Sequence, residues 1–432
     1  MRSASQAKIT LRLWVIPVLV GLVFILGLIF PFKAWWIVFI ALGLVLLFSS
    51  YSIYHLKNDL HIQRQVRYGW AKVGDRLEGR IKVTNAGIIP AFWIEIEDHT
   101  DIPGHQKAIG TSVGANNQNS WQKSLVCTQR GLFRLGPTTL HTSDLFGLFS
   151  LTIHDPTAAH ILITPPILPL PHIQVASGGR AGDGRYSKGT LEPSVAVSTV
   201  REYQPQDPLH HIHWPLSAKH NQLTTRVFEN TPTGNWWIIQ DMNADFQVGE
   251  GINNSLEVGI ILAASLANQG AREGKAVGLI TNDHQNTWID AHYASDQTMK
   301  ILRALALAKA GNQPLSQLLR KSRQSLKQAA SLIIITPDIS ADWWDPLLWL
   351  KAKGLVPTLL VLDPSSFGGQ GSASALIKRL QNAGITAYAI PAEMFADQLD
   401  IKENPLWEWR VFGTGYAVPI KKPQDISWKS LE

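Results

Sequence analysis

Trp236–Asp245, WWIIQDMNAD, reads as a buried strand that runs out into oxygen-bearing side chains. Four consecutive apolar residues without polar alternation need cover on both faces, as in a parallel sheet. Comparable runs return at Ala276–Ile280, Leu332–Ile335, Thr358–Leu362 and Ala387–Ile390. Helical stretches fill the intervals, at 255–269, 296–310, 314–329, 343–353 and 373–383, with Gly270, Gly311, Gly354 and Gly384 where helices should stop. Alternation of this kind predicts a doubly wound α/β domain. Asp241, Asp283, Asp338 and Asp363 each follow an apolar run within three residues, which places them at the carboxyl ends of the strands, where open sheets bind ligands. Aspartate also caps helices, so a purely structural role competes at each position.

Upstream lies the most polar run, Thr199–Glu229, with four histidines, a tryptophan and three prolines. Asp207, His210, His211 and His213 are of metal-ligating type. Pro208 and Pro215 argue against a long helix, and adjacent His210 and His211 point different ways on any regular element. The expectation is an ordered loop in which Arg201, Glu202, Asp207 and His213 bond one another and Trp214 is pinned against the following domain. Before it, 167–198 is rich in proline and then glycine. It lacks the Gly-Lys-Ser/Thr ending of a phosphate cradle and reads as a linker.

Residues 58–166 alternate over short segments, such as Leu77–Val83 and Phe92–Glu97, with turn residues between them. That pattern predicts a small antiparallel sandwich or barrel. Asn116–Ser120 reads as a solvated loop tip. Arg130–Pro137 and Ser143–Phe149 are two aromatic-glycine segments, read as strand corners whose phenylalanines fill the core.

The first 57 residues read as a transmembrane helical hairpin. Leu13–Phe32 and Ala34–Tyr54 carry no charged side chain, and each is long enough for a hydrocarbon core of about 30 Å. Arg2, Lys8 and Arg12 precede the first span; Lys57, Arg64, Arg67 and Lys72 follow the second; Lys33 alone lies between. The positive-inside bias places the chain in the cell membrane as a two-span protein with both termini cytoplasmic. Much of the net charge of +6 flanks these spans, which argues against nucleic acid as a partner. Cys127 is the only cysteine, so no intrachain disulfide can form.

Together Arg201-Glu202-Tyr203, Gln206-Asp207, Ile212-His213-Trp214, Ser217-Ala218-Lys219 and Arg226–Glu229 resemble the signature of the bacterial "domain of unknown function 58" family. Arg130-Gly131, Leu135-Gly136-Pro137, Asp144 and Phe146–Phe149 add to the resemblance, as does the hairpin. Gln206, Leu145 and Lys219 depart from it, and His210 and His211 stand where the family has arginines. The resemblance implies a von Willebrand factor A-like domain over 199–396, followed by a tail at 397–432. It also implies a metal site of the Asp-x-Ser-x-Ser type, here Asp241, Asn243 and Asp245 with Asp338 as second aspartate and Thr298 as candidate threonine. The ion would be Mg²⁺ or Ca²⁺. It further implies a non-enzymatic adaptor that works with a MoxR-type AAA+ ATPase. In agreement, the chain has no Walker motif, nucleophile elbow or zinc-protease helix. The alternatives are a metal-assisted hydrolase built on Asp207 and the histidines, and an outward-facing, metal-dependent adhesion module.

Overall fold

The computed structural model describes residues 6–30, 32–66, 69–105, 107–170, 173–176, 197–204, 212–220, 222–228, 235–294, 296–323, 326, 330–395, 408–411, 417–420 and 429–430. The chain divides into two compact units, one comprising Met1–Thr164 with Ile401–Glu432, the other Pro165–Asp400.

The first unit opens with β1 (Gln6–Leu11), then the apolar helices α1 (Val15–Ile29) and α2 (Lys33–Asp59). The strands β2 (Leu60–Val66), β3 (Trp70–Lys72), β4 (Arg76–Asn85), β5 (Ala91–Asp98), β6 (Ala108–Val113), β7 (Asn117–Val126), β8 (Gly131–Leu135), β9 (Thr138–Ser143), β10 (Phe149–Asp155) and β11 (Ala159–Thr164) follow. β1 pairs with β10 at the edge of a five-stranded sheet, in the order β1-β10-β9-β5-β6. So the segment that enters α1 and the strand that continues α2 both belong to the same folded unit. α2 is long and apolar enough to cross a membrane, whereas α1, at 15 residues, is shorter than the expected Leu13–Phe32 span. Lys33 starts α2 rather than occupying a turn.

In its last turns α2 buries Ser49, Ser52, Ile53 and Leu56, spaced to share one helical face. Ile53 and Leu56 pack with Ile62, Ile81 and Val83 from one sheet and Ile94, Ile96, Leu140 and Leu151 from the other, so two sheets share one core. The expected sheet-on-sheet arrangement is therefore present, with a difference: β11 pairs in parallel with β3 in a third, small sheet. Asn117–Ser120 belongs to β7, not to a loop tip; the turn is at Asn116, whose φ is 47°. Phe146 and Leu145 are exposed instead of filling the core, which Leu148 enters.

In the second unit β12 (Val197–Glu202) pairs with β13 (Thr224–Phe228) around the short helix α3 (Trp214–His220). Then come β14 (Trp236–Gln240), α4 (Ser255–Arg272), β15 (Val277–Thr281), β16 (Trp288–His292), α5 (Gln297–Leu307), α6 (Leu315–Ser322), β17 (Ser331–Thr336), α7 (Trp344–Ala352), β18 (Val356–Leu362), α8 (Ser374–Asn382) and β19 (Thr386–Ile390). The sheet order is β16-β15-β14-β17-β18-β19, parallel except for the antiparallel edge strand β16. Edge strand β16 lies outside the expected apolar runs, because its side chains alternate between exposed and half-buried.

Along β14, Trp236 and Ile238 enter one core with α4 and α5, while Trp237 and Ile239 enter another with α6, α7 and α8. This covering of both faces is why the strands read as continuous apolar runs. The start of the expected linker is not free: Leu170 and Ile173 are buried in the α4 core, the Leu168 amide donates to Ser265 Oγ (2.9 Å), and the Ala176 amide donates to Thr358 Oγ1 (3.0 Å). Residues 177–196 lie outside the described residues. The tail contributes β20 (Glu408–Val411) and β21 (Ala417–Ile420), paired with each other, and β22 (Lys429–Ser430), which pairs with β2. The tail thus groups with the first unit, where β22 covers Gln65 and Val66 at the end of the β2 edge.

Candidate functional site

The order of the second unit's sheet runs outward in both directions from β14, so the direction of winding across the sheet reverses between the parallel strands β14 and β17. Doubly wound sheets place their crevice at the carboxyl ends of such a pair. β14 ends in Asp241, β15 in Asn282 and Asp283, and β17 in Thr336 and Asp338. Asp241 is fully buried. Its Oδ1 accepts from Asn282 Nδ2 (2.8 Å) and the Asn243 amide (3.1 Å); its Oδ2 accepts from Thr336 Oγ1 (2.7 Å). Thr336 Oγ1 in turn accepts from the Asp338 amide at 3.0 Å. Burial pushes the Asp241 carboxyl above its usual range; the hydrogen bonds from Asn282, Thr336 and Asn243 pull against it, and the Asp338 charge adds to the push. Asp338 is raised as well, chiefly by its own burial.

The loop 308–313 lies over these ends. The Gly311 amide donates to Met242 O (2.9 Å), Gly311 O accepts from the Ala244 amide (2.8 Å), and Asn282 Nδ2 also reaches Gln313 O (2.6 Å). A Cβ at Gly311 would stand 2.1 Å from Asn282 O, so only glycine permits this approach. Its role is close packing, not the helix stop its position suggested.

Of the four residues expected around a cation, Asp241 and Asp338 come together. Asn243 Oδ1 instead accepts from the Asp245 amide (3.3 Å) as the cap of a 3₁₀ turn, and Asp245 is exposed. With Asn243 held as a cap and Asp245 exposed, two carboxylates of the four expected ligands meet, and the set as arranged does not form the expected cage. No group of three or more His, Cys, Asp or Glu that could hold a metal is present among the described residues. Asp283 accepts from Thr281 Oγ1 and the Thr287 amide, and Asp363 from the Ala373 amide; both shape local turns. The threonine against Asp241 is Thr336, whereas Thr298 lies in the first turn of α5. Asn282 and Thr336 escaped the sequence reading, although the polar triplet Thr281-Asn282-Asp283 after an apolar run was a usable signal.

The signature segment is more ordered than a loop where it is described. Arg201 pairs with Thr225 and Glu202 with Thr224, and the Tyr203 amide donates to Leu223 O at 2.9 Å. Ile212 is buried and bridges to Thr225. His213 Nδ1 accepts from the Leu216 amide (3.1 Å), capping α3, and Pro215 falls early in that helix, where its missing N–H is harmless. Buried Ser217 exchanges hydrogen bonds with Thr224, while Ala218 and Lys219 are exposed. Trp214 is 64% exposed, which corrects the expectation that it is pinned. Asp207, His210, His211 and Glu229 lie outside the described residues.

Residues 199–367 match the family described as "Protein of unknown function DUF58". A particular relative is the uncharacterized protein YeaD of Bacillus subtilis, 21% identical over 323 residues, covering 72% of this chain and 78% of that protein. Among solved structures, the CARDB domain of a Pyrococcus furiosus protein, in complex with di-metal ions, aligns with 24% of this chain and 87% of its own at 14% identity and a TM-score of 0.18. A β-glucosidase from Listeria innocua in complex with glucose aligns with 24% of this chain and 16% of its own, at 10% identity and a TM-score of 0.17. At such scores these two carry no argument about this chain.

Proposed function

We propose that this protein is a membrane-anchored, non-enzymatic adaptor. In this reading α1 and α2 span the cell membrane as a hairpin with both termini cytoplasmic, and the second unit is a von Willebrand A-like module that grips other proteins. The doubly wound order supports the module. The pairing of β1 with β10 supports the hairpin, since the two ends of the helical pair return to one folded unit.

The observation that carries the reading is the way Asp241 is held. A general base or metal ligand must be reachable by substrate or ion, whereas Asp241 is fully buried and its oxygens accept from Asn282, the Asn243 amide and Thr336, which tie the strand ends together. The strand ends and the Gly311 loop then form a stitched recognition face that works without a metal. A MoxR-type AAA+ ATPase is the partner we propose, with the exposed Trp214 as a contact point.

Crosslinking the full chain in native membranes from Lys219 tests this. An AAA+ ATPase among the crosslinked proteins, depleted several-fold by Trp214→Ala with anchoring unchanged, is the expected result. No ATPase under any nucleotide condition would overturn the partnership.

A further inference from the structure

The end of the first unit from which both apolar helices leave is itself apolar and exposed. β1 finishes at Leu11 opposite Phe149, and the Arg12 and Leu13 amides donate to Leu148 O, so the entry to α1 lies beside the turn between β9 and β10. Asp144 builds that turn: its Oδ2 accepts from the Phe146 amide (3.0 Å) and its Oδ1 from the Phe149 amide (2.7 Å), while Gly147 takes a φ of 68°. The result thrusts Leu145 and Phe146 outward, and the Phe146 ring meets that of Phe48 on α2, with centroids 6.3 Å apart. The start of β5 lies at the same end, because Ile94 pairs with Thr142. A register shift between Ala91 and Ile94 accompanies exposure of both Phe92 and Trp93. Ile88, 70% exposed, sits in the loop whose Ala86 amide donates to Asp59 O at the end of α2.

Five large apolar side chains therefore ring the helix exits, continuous with the apolar surface of α2. The length of α1 supplies the second argument. Fifteen residues rise about 22 Å, short of a hydrocarbon core of about 30 Å. A short helix must thin the bilayer or be extended by apolar surface at its ends. The rim is such an extension, and its Trp and Phe content suits the interfacial layer.

We infer that the rim formed by Ile88, Phe92, Trp93, Leu145 and Phe146 is immersed in the lipid interface, so that the first unit rests in the bilayer and is not merely tethered to it. The partner is the lipid surface. The inference rests on the membrane reading above, and the test separates the two. Cys127 is fully buried with its thiol pushed up to about 12, so the native chain serves as an unlabelled blank.

Nitroxides are attached to Phe146→Cys, Leu44→Cys on α2, and Lys107→Cys at the opposite end of β5, with the full chain in phosphatidylcholine–phosphatidylglycerol nanodiscs. Collisions with oxygen are compared with collisions with a nickel chelate. The rim label should favour oxygen several-fold, approaching the Leu44→Cys label, while the Lys107→Cys label favours the chelate. Leu145→Cys carries the same expectation if Phe146→Cys fails to assemble. A rim label matching Lys107→Cys while Leu44→Cys remains in lipid overturns this inference and leaves the anchor standing. A chelate-accessible Leu44→Cys overturns both. A rim label shielded from both reagents and broadened by a second spin assigns the rim to a copy of the chain and also overturns the inference.

Discussion

Asp98 in the first unit and Asp241 in the second are both buried carboxylates, yet they are held in opposite ways. Asp98 lies among charges: Arg64 pairs with its Oδ1, His105 Nε2 stands 2.8 Å from its Oδ2, Lys123 Nζ stands 3.7 Å away, and Thr100 Oγ1 donates to Oδ1 at 2.7 Å. Burial pushes the Asp98 carboxyl up, but the His105 hydrogen bond, the Arg64 guanidinium and Thr100 outweigh it and hold the group well below the usual range. Asp241 meets only neutral donors and, nearby, the carboxylate of Asp338; burial wins and the group is raised. Depth does not decide whether an interior acid is charged; the kind of partner does.

The sharpest way to break this contrast is Asp98→Asn. It strands Arg64, whose Nε already lacks a partner in the described structure, and should cost about 3–5 kcal/mol in denaturant unfolding. Replacing Arg64 and Asp98 together by Met and Leu should cost less than Asp98→Asn alone, because the guanidinium leaves with its partner, although His105 and Lys123 lose their acceptor. Thr336→Val comes next: it takes a donor from Asp241 and an acceptor from the Asp338 amide, for a loss of about 1–3 kcal/mol.

The smallest effect is electrostatic and has opposite signs at the two sites. The Asp98 contribution is present above about pH 4 and fades as acid titrates the folded group below that. Asp241 holds its proton more tightly folded than unfolded, so from about pH 4 up to its raised folded value stability falls as pH rises. Unfolding curves across pH should therefore lose part of their acid limb in Asp98→Asn. In Asp241→Asn they should lose part of the decline toward neutrality, with a shift of about 1 kcal/mol or less at low pH. Parallel curves for the two variants would erase the distinction.

The same pair shows what the sequence could disclose. Asp241 was legible because an apolar run leads straight into it, and local patterning carries that far. The Asp98 cluster brings Arg64 of β2 to Asp98 of β5 across 34 positions of chain, with Lys123 of β7 beside them, and no local pattern records such a pairing. Arg64 was instead counted among cations flanking the second apolar span; buried against Asp98, it drops out of that orientation argument and leaves exposed Lys57 in it. Asn282 and Thr336 were missed because neutral polar residues at strand ends look like ordinary turn material until their partners are known. The β-rich first unit was legible in kind through its period of two, while the parallel β3–β11 pair was not, because it depends on residues nearly a hundred positions apart. Trp214 misled for a related reason: a large aromatic beside a turn usually finds cover, and here it faces solvent.

The pairing of β22 with β2 bears on how the molecule is made. The first unit is interrupted: its apolar helices and the strands β1 to β11 emerge from the ribosome early, and β22 arrives only after residues 165–400 have been synthesised. During that interval Gln65 and Val66 of β2 stand without their β22 partner. The inserted unit must therefore reach its own fold without trapping the β2 edge, and a nonsense mutation ahead of codon 429 would leave Gln65 and Val66 without their β22 partner for the life of the protein.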